Sequence, residues 1–149
     1  MADRKYSLVY YADYEKPHWR VRLFPKESEM QKNFMMHEVR GPFKVDNRLF
    51  PDLNEKGIYV YTNADQIHLN LPLAFMALQD GKETPVEGNI LFLKGDDGKA
   101  LGLTKQELSE IVSSCCLSTK QVELVCCFEE LKDLFPDDMK RIETKKDKY

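Results

Sequence analysis

The chain has four cysteines, arranged as two adjacent pairs, Cys115-Cys116 and Cys126-Cys127. Structural zinc sites usually space their thiolates as C-x₂₋₄-C, whereas adjacent side chains diverge by about 100° on a helix or point to opposite faces of a strand. One member of each pair can still meet the other across two packed helices, so a zinc or redox site stays open. We favour reduced, packed thiols, and we predict no cofactor.

The three histidines, His18, His37 and His68, share no HxH or HxxxH spacing. His68 falls on the same side of an alternating run as Asn70, which makes this pair the best candidate for a polar site, such as that of a small hydrolase. We favour a surface or strand-pairing histidine, because histidine is generally intermediate in exposure. With no convergent catalytic set in the sequence, we lean towards a non-enzymatic protein.

Acidic and glycine-rich motifs give no ligand site either. Asp96 and Asp97 lack the acidic spacing of a calcium-binding loop, and with their flanking glycines they are typical of a hairpin turn. Gly95, Gly98 and Gly102 do not form G-x-G-x-x-G, and no phosphate-binding lysine follows them. The standard nucleotide-binding motifs are therefore absent from the sequence.

An aromatic and basic segment near the N-terminus is the best candidate for a contact surface. Trp19 alternates with Arg20 and Arg22, and Tyr14 precedes them in a turn that contains Pro17. Exposed, these side chains would stack on bases or bind a protein partner. The alternative, which the alternation favours, packs Trp19 in the core and leaves the arginines on a solvated face.

The segment from Thr104 to Phe135 resembles a helix-turn-helix, with a join about two residues longer than the DNA-binding form. Its second helix would carry three glutamates and a single early lysine, Lys120. Such a charge distribution opposes phosphate contact. We keep a DNA-binding regulator as an alternative and favour a plain pair of helices.

Most of the predicted core lies in Ile58–Leu93. Tyrosine- and valine-rich or alternating runs predict strands that begin near residues 5, 18, 58, 67 and 89. Residues 43–56 are turn-rich and indicate a surface connection, and Pro72 indicates a short helix to about Leu78.

Three capping-box patterns predict the starts of longer helices. Ser28 with Gln31 indicates a helix from about Glu29 to Val39, with Met30, Phe34 and His37 along one stripe and Gly41 taking the left-handed cap. Thr104 with Glu107 indicates a helix to about Ser114. Ser118 with Gln121 indicates a helix to about Phe135, although alternation from Val122 to Phe128 leaves a strand open.

These elements predict an α+β fold, with a mainly antiparallel sheet of about five strands, helices on one side and a C-terminal helical pair. The 149-residue length predicts a single domain over residues 1–142, and the charged residues 143–149 form a tail. The net charge of −3 gives no basic footprint for nucleic acid. With neither a signal peptide nor a membrane-spanning run, we expect a cytoplasmic protein.

Scattered features of the sequence resemble a family of short proteins of unknown function that phages, plasmids and conjugative elements of gut bacteria carry. The shared features are Met30-Gln31, Ile58–Tyr61 followed by Asn63, Leu71-Pro72-Leu73, Ala77-Leu78, Asp80, and Gly88 before Ile90–Leu93. Members of the family usually have Asn-Arg where this chain has Ala74-Phe75. The resemblance implies a mobile-element context and an accessory role, with no known activity.

Taken together, the sequence predicts a small cytoplasmic accessory protein that binds another macromolecule, with a protein partner favoured over nucleic acid. The residues expected to carry the contact are Trp19, Arg20, Arg22, Tyr14, His68 and Asn70.

Overall fold

The computed structural model describes residues 5–11, 18–45, 51–64, 73–79, 82–96, 99–114, 123–125, 131 and 140–141. The predicted α+β class is confirmed. Three helices are described: α1 (Ser28–Val39), α2 (Pro51–Glu55) and α3 (Lys105–Ser114). The strands are β1 (Tyr6–Tyr11), β2 (His18–Leu23), β3 (Phe43–Val45), β4 (Ile58–Asn63), β5 (Leu73–Gln79), β6 (Lys82–Glu87), β7 (Ile90–Asp96), β8 (Lys99–Leu101), β9 (Glu123–Val125) and β10 (Lys140–Arg141).

Eight of these strands form one sheet in the order β10-β9-β2-β1-β7-β4-β3, with β8 paired to β7. The central pairs are antiparallel, as predicted, whereas β9 runs parallel to both β2 and β10. The sheet is larger than the five strands expected because short strands extend it on both sides. A separate two-stranded sheet joins β5 to β6.

The central strands are buried because both of their faces are apolar. Across four neighbouring strands, Val21, Leu8, Phe92 and Val60 form one cross-strand row. All four are almost fully buried, and they pack with Leu108 and Ile111 of α3 and with Leu53 of α2 in one core cluster. We call this side of the sheet the α3 face.

Helix α1 covers the opposite side, the α1 face. Its Phe34, Met35 and Val39 pack with Val9 of β1 and Leu91 of β7 in a second core cluster. The prediction that the helices lie on one side is therefore wrong. Strands that carry apolar side chains on both faces must be covered on both faces. Helices on one side of the sheet would leave the other face exposed to water.

The ends of α1 differ from the prediction. No side chain caps its first turn, and the Gln31 side chain instead donates to the carbonyl of Pro25 at 2.8 Å. At the other end Arg40, not Gly41, adopts the left-handed conformation, with φ 64°. Gly41 has φ 149°, and a Cβ there would lie 2.8 Å from Asn63 Nδ2, so glycine permits a close approach to β4.

The predicted capping box of α3 is confirmed. The Thr104 N–H donates to Glu107 Oε1 at 2.9 Å, and the Glu107 N–H donates to Thr104 Oγ1 at 3.2 Å. Two backbone donors at the helix start are thereby satisfied.

The helix predicted after Pro72 is wrong, because Leu73–Gln79 is a strand that pairs antiparallel with Lys82–Glu87. Pro85 fits this arrangement, since a strand with a single partner tolerates a residue without an N–H. The expected surface connection at residues 43–56 likewise contains β3 and α2.

The third predicted helix is wrong at Glu123–Val125, where the alternative of a strand holds. Its backbone pairs with His18–Arg20, so hydrogen bonding to β2 determines the conformation there rather than the local helical pattern. The second helix of a helix-turn-helix would have to run through this strand. Among the described residues, no helix is both long and apolar enough to cross a bilayer.

Candidate functional site

A mainly apolar groove of about 650 Å³ lies between the end of β2 and α1, and along the helix its lining extends from Met30 to His37. We call it the β2–α1 groove, and its lining residues are Leu23, Phe24, Pro25, Met30, Asn33, Phe34 and His37. Leu23 and Met30 are 45% and 56% exposed, so two large apolar side chains face solvent at the same depression. Large apolar side chains gathered at a concave surface are typical of a binding site.

A buried carboxylate lies beyond one end of the groove. Glu38 of α1 is fully buried, and its Oε2 accepts a hydrogen bond of 2.7 Å from the Tyr11 hydroxyl. Its Oε1 lies 3.5 Å from Arg22 Nη1, and His37 Nδ1 lies 3.7 Å from Oε2. A carboxylate removed from water requires such partners, since an isolated buried charge is very unfavourable.

Aromatic and guanidinium groups stack around Tyr11. The Arg20 guanidinium carbon lies 5.4 Å from the centre of the Tyr11 ring, and that of Arg22 lies 6.0 Å from it. The His18 ring is parallel to the Tyr11 ring within 2°, with centroids 5.2 Å apart. Cations over an aromatic face are attracted to its negative potential, so this stack holds both arginines in place. We call Tyr11, His18, Arg20, Arg22 and Glu38 the Tyr11 cluster.

The phenol of Tyr11 stays protonated at physiological pH. Burial, then the neighbouring Glu38 carboxylate, raise the pKa of Tyr11 well above its ordinary value, and the two arginines offset this only in part. Tyr11 therefore acts as a hydrogen-bond donor to Glu38 rather than as a proton acceptor. The cluster holds the Glu38 carboxylate in a fixed position, because the Tyr11 hydroxyl donates to it and the Arg22 guanidinium lies beside it.

Two buried asparagines fix the last turn of α1 to the sheet. Asn63 Nδ2 donates to the carbonyls of Val39 and Arg40 at 2.9 and 3.0 Å. Asn89 Nδ2 donates to the carbonyl of Glu38 at 2.8 Å. These carbonyls have no partners inside the helix, so the asparagines satisfy them and set the position of Glu38.

The structure separates the residues of the predicted contact surface. Trp19 is only 3% exposed and packs against Tyr10 and Phe92, so its role in an exposed patch is wrong and core packing holds. Arg20 and Arg22 lie on the opposite face, as the alternation predicts. That face is not simply solvated, because α1 brings Glu38 against Arg22.

Several predicted site residues lie outside the described part of the chain, and their roles stay predictions. They are Tyr14, His68, Asn70, Cys115, Cys116, Cys126 and Cys127. Among the residues that are described, no group of three or more His, Cys, Asp or Glu side chains is placed to hold a metal ion.

Glu38 is the residue that sequence reasoning missed. It follows Phe34 by four positions and Met35 by three, so helical spacing places it on the buried side of α1. The predicted apolar stripe of Met30, Phe34 and His37 leaves Glu38 out of the buried side. Met30 and His37 are in fact exposed. The usable signal was an acidic residue at an apolar position, which indicates a paired buried charge.

Comparison with known proteins identifies no relative. No protein-family model matches the chain, and neither a curated protein nor a solved structure is significantly similar to it.

Proposed function

We propose that this protein is a small, non-enzymatic, cytoplasmic accessory protein that binds a segment of another protein in the β2–α1 groove. The observation that carries the proposal is the groove itself, with Leu23 and Met30 exposed in one apolar depression beside the Tyr11 cluster. Transferring a large apolar side chain of a partner into this depression removes apolar surface from water on both molecules.

The charges beside the groove favour an acidic partner. The Arg22 guanidinium is mostly buried and its charge is offset by Glu38, so the net positive charge of the Tyr11 cluster comes from Arg20. His37 connects this cluster to the groove, because it lines the groove and lies next to Glu38. A matching segment has a large apolar residue for the groove and an Asp or Glu a few positions away for the Arg20 guanidinium.

The groove is also built on fixed elements. β2 is paired on both sides within the sheet, and the end of α1 is held by Asn63 and Asn89. A preformed surface loses little conformational entropy on binding, so more of the contact energy appears as affinity.

Selection from a displayed library of random peptides tests the proposal. We expect enriched peptides to combine a large apolar residue with an acidic one. Their affinity, measured by fluorescence anisotropy, should fall about tenfold or more in Met30→Glu and in Leu23→Glu, because a charge would occupy the centre of the contact. Arg20→Gln should weaken binding less and reduce its dependence on salt.

The chain provides matched controls. Met36 lies on the same helix with 42% exposure, and Val45 lies on another strand with 44% exposure, and neither lines the groove. Met36→Glu and Val45→Glu should therefore leave peptide affinity unchanged. Selection that yields no apolar-acidic pattern, or equal losses in the control variants, would reject the proposed site.

The biological setting is a separate proposal that rests on the sequence resemblance alone. By analogy with that family, the protein would serve a phage, plasmid or conjugative element in a bacterial host, where its partner would be a host or element protein.

A further inference from the structure

A second cavity, of about 440 Å³, lies at the end of the sheet where β1 begins and β8 leads into α3. We call it the end pocket. Phe24 and Pro25 line both this pocket and the β2–α1 groove, and Leu101, which is 41% exposed, lines the end pocket alone. Lys5, Lys26 and Lys94 also line it, so apolar side chains and three cationic groups meet at this pocket.

Backbone contacts hold the pocket together. The amide groups of Tyr6 and Leu103 bond to each other's carbonyls at 2.9 and 2.7 Å, and the Phe24 N–H donates to the Lys5 carbonyl at 3.0 Å. The two backbone segments pass so closely that a Cβ on Gly102 would lie 2.3 Å from Lys5 Cβ. Glycine at this position therefore allows Lys5 to approach residue 102 closely, and both residues line the pocket.

The charges of the lining do not cancel. Glu107 is the one acid among the described residues that line the pocket. Its Oε2 accepts a 2.8 Å hydrogen bond from Lys94 Nζ, while its Oε1 caps α3 through the Thr104 N–H. Lys94 and Glu107 thus neutralise each other, which leaves the positive charges of Lys5 and Lys26 in excess at the pocket.

We propose that the end pocket binds a small anionic ligand with a flat apolar body, such as an aromatic carboxylate, sulfonate or phosphate. The apolar body lies against Phe24, Pro25 and Leu101, and the anionic group faces Lys5 and Lys26. The cavity falls within the size range of about 300–1,000 Å³ that is usual for small-molecule sites. The proposal uses cations that the peptide site does not use, while Phe24 and Pro25 line both cavities.

A pair of fluorescent probes tests the role of charge. Anilinonaphthalene sulfonate has an aromatic body and an anionic group, and N-phenylnaphthylamine has the same body without the charge. We expect the anionic probe to bind with higher affinity and to lose affinity as salt is raised. Lys5→Gln and Lys26→Gln should each weaken it about threefold, the loss expected of one partly exposed ion pair, and the double variant about tenfold.

Two control variants test whether the anionic probe binds in the end pocket. Lys44→Gln removes an exposed charge on β3, and Met36→Glu adds a charge at an exposed position of α1; neither residue lines the pocket, so neither variant should alter binding of the anionic probe. In ¹H–¹⁵N spectra of the folded protein, the probe should shift the amide signals of Leu101 and Gly102.

Three results would overturn the proposal: no saturable binding of the anionic probe, equal affinity for the neutral probe, or shifts confined to α1. Circular dichroism of each variant confirms that the fold is intact.

Discussion

The two faces of the sheet are built from the same strands but differ in chemistry. On the α3 face the buried cluster is composed of apolar and aromatic side chains, including Leu8, Phe92 and Ile111. On the α1 face the apolar cluster is bordered by buried polar residues, among them Glu38, Asn63 and Asn89. The groove and the Tyr11 cluster both lie on the α1 face. The comparison indicates that one face chiefly stabilises the fold, while the other holds a helix in a set position for binding.

The largest expected effect comes from the α3 face. Phe92→Ala should lower the free energy of unfolding by about 4 kcal/mol, because it removes a fully buried ring from the centre of the four-strand row. Leu91 is the matched control, since it is equally buried in the same strand but faces α1.

Leu91→Ala should cost about 3 kcal/mol, because a smaller side chain leaves a smaller cavity. Urea denaturation of both variants measures the difference. A larger loss in Leu91→Ala would contradict the assignment of the α3 face as the main source of stability.

Next in size is the ion pair of the α1 face. Arg22→Met should lower the free energy of unfolding by about 3 kcal/mol, because the fully buried Glu38 carboxylate loses its charged partner. The double variant Arg22→Met/Glu38→Leu should recover most of this loss, since neither charge is then buried. If the double variant is as unstable as Arg22→Met in urea denaturation, the pair does not account for the loss.

Asn63→Ala should cost about 2 kcal/mol, because the carbonyls of Val39 and Arg40 lose their hydrogen-bond donor. Hydrogen exchange should accelerate at the end of α1 while the amides of α3 stay protected. Asn33→Ala, an exposed change on the same helix, is the control. Uniform acceleration in both helices would show that Asn63 supports the whole fold rather than the position of α1.

The smallest effect concerns pH and the start of α3. Burial raises the pKa of Glu107, but hydrogen bonds from Lys94 and Thr104 outweigh it, so the pKa lies below its ordinary value of 4.5. The folded state thus holds this proton less tightly than the unfolded chain does. The stability from Glu107 is full above the ordinary value and is lost as pH falls through the lowered one.

Glu107→Gln should therefore cost about 1 kcal/mol at pH 7 and less at pH 3, where wild-type Glu107 is becoming protonated. Thermal unfolding across that range measures the convergence of the two proteins. Glu110→Gln, which removes a more exposed carboxylate of α3, is the control for the loss of a charge from this helix.

The sequence was most informative where local pattern and burial agree. The Tyr, Val and Leu content of residues 5–11 and the alternation that begins at His18 predict two strands, and the structure pairs these strands antiparallel, with Tyr10 opposite Trp19. The Thr104–Glu107 capping box predicts α3 because its two hydrogen bonds involve neighbouring residues only. These signals do not depend on the rest of the fold.

The failures involve partners distant in sequence. Glu123–Val125 pairs with residues about a hundred positions earlier, and no local pattern encodes that neighbour. In the same way, the pairing of Arg22 with Glu38 depends on how α1 lies across the sheet. Helical spacing alone marks Glu38 as a buried acid, but which arginine it pairs with depends on where the helix lies on the sheet.

The parallel pairing of β9 with β2 bears on the order in which the protein is assembled during synthesis. His18–Arg20 leaves the ribosome long before Glu123–Val125, its described neighbour on the outer side. Throughout that interval the outer edge of β2 lacks the strand that later covers it. An unpaired edge recruits other strands, so a ribosome that stalls before residue 123 exposes nascent chains to association with one another.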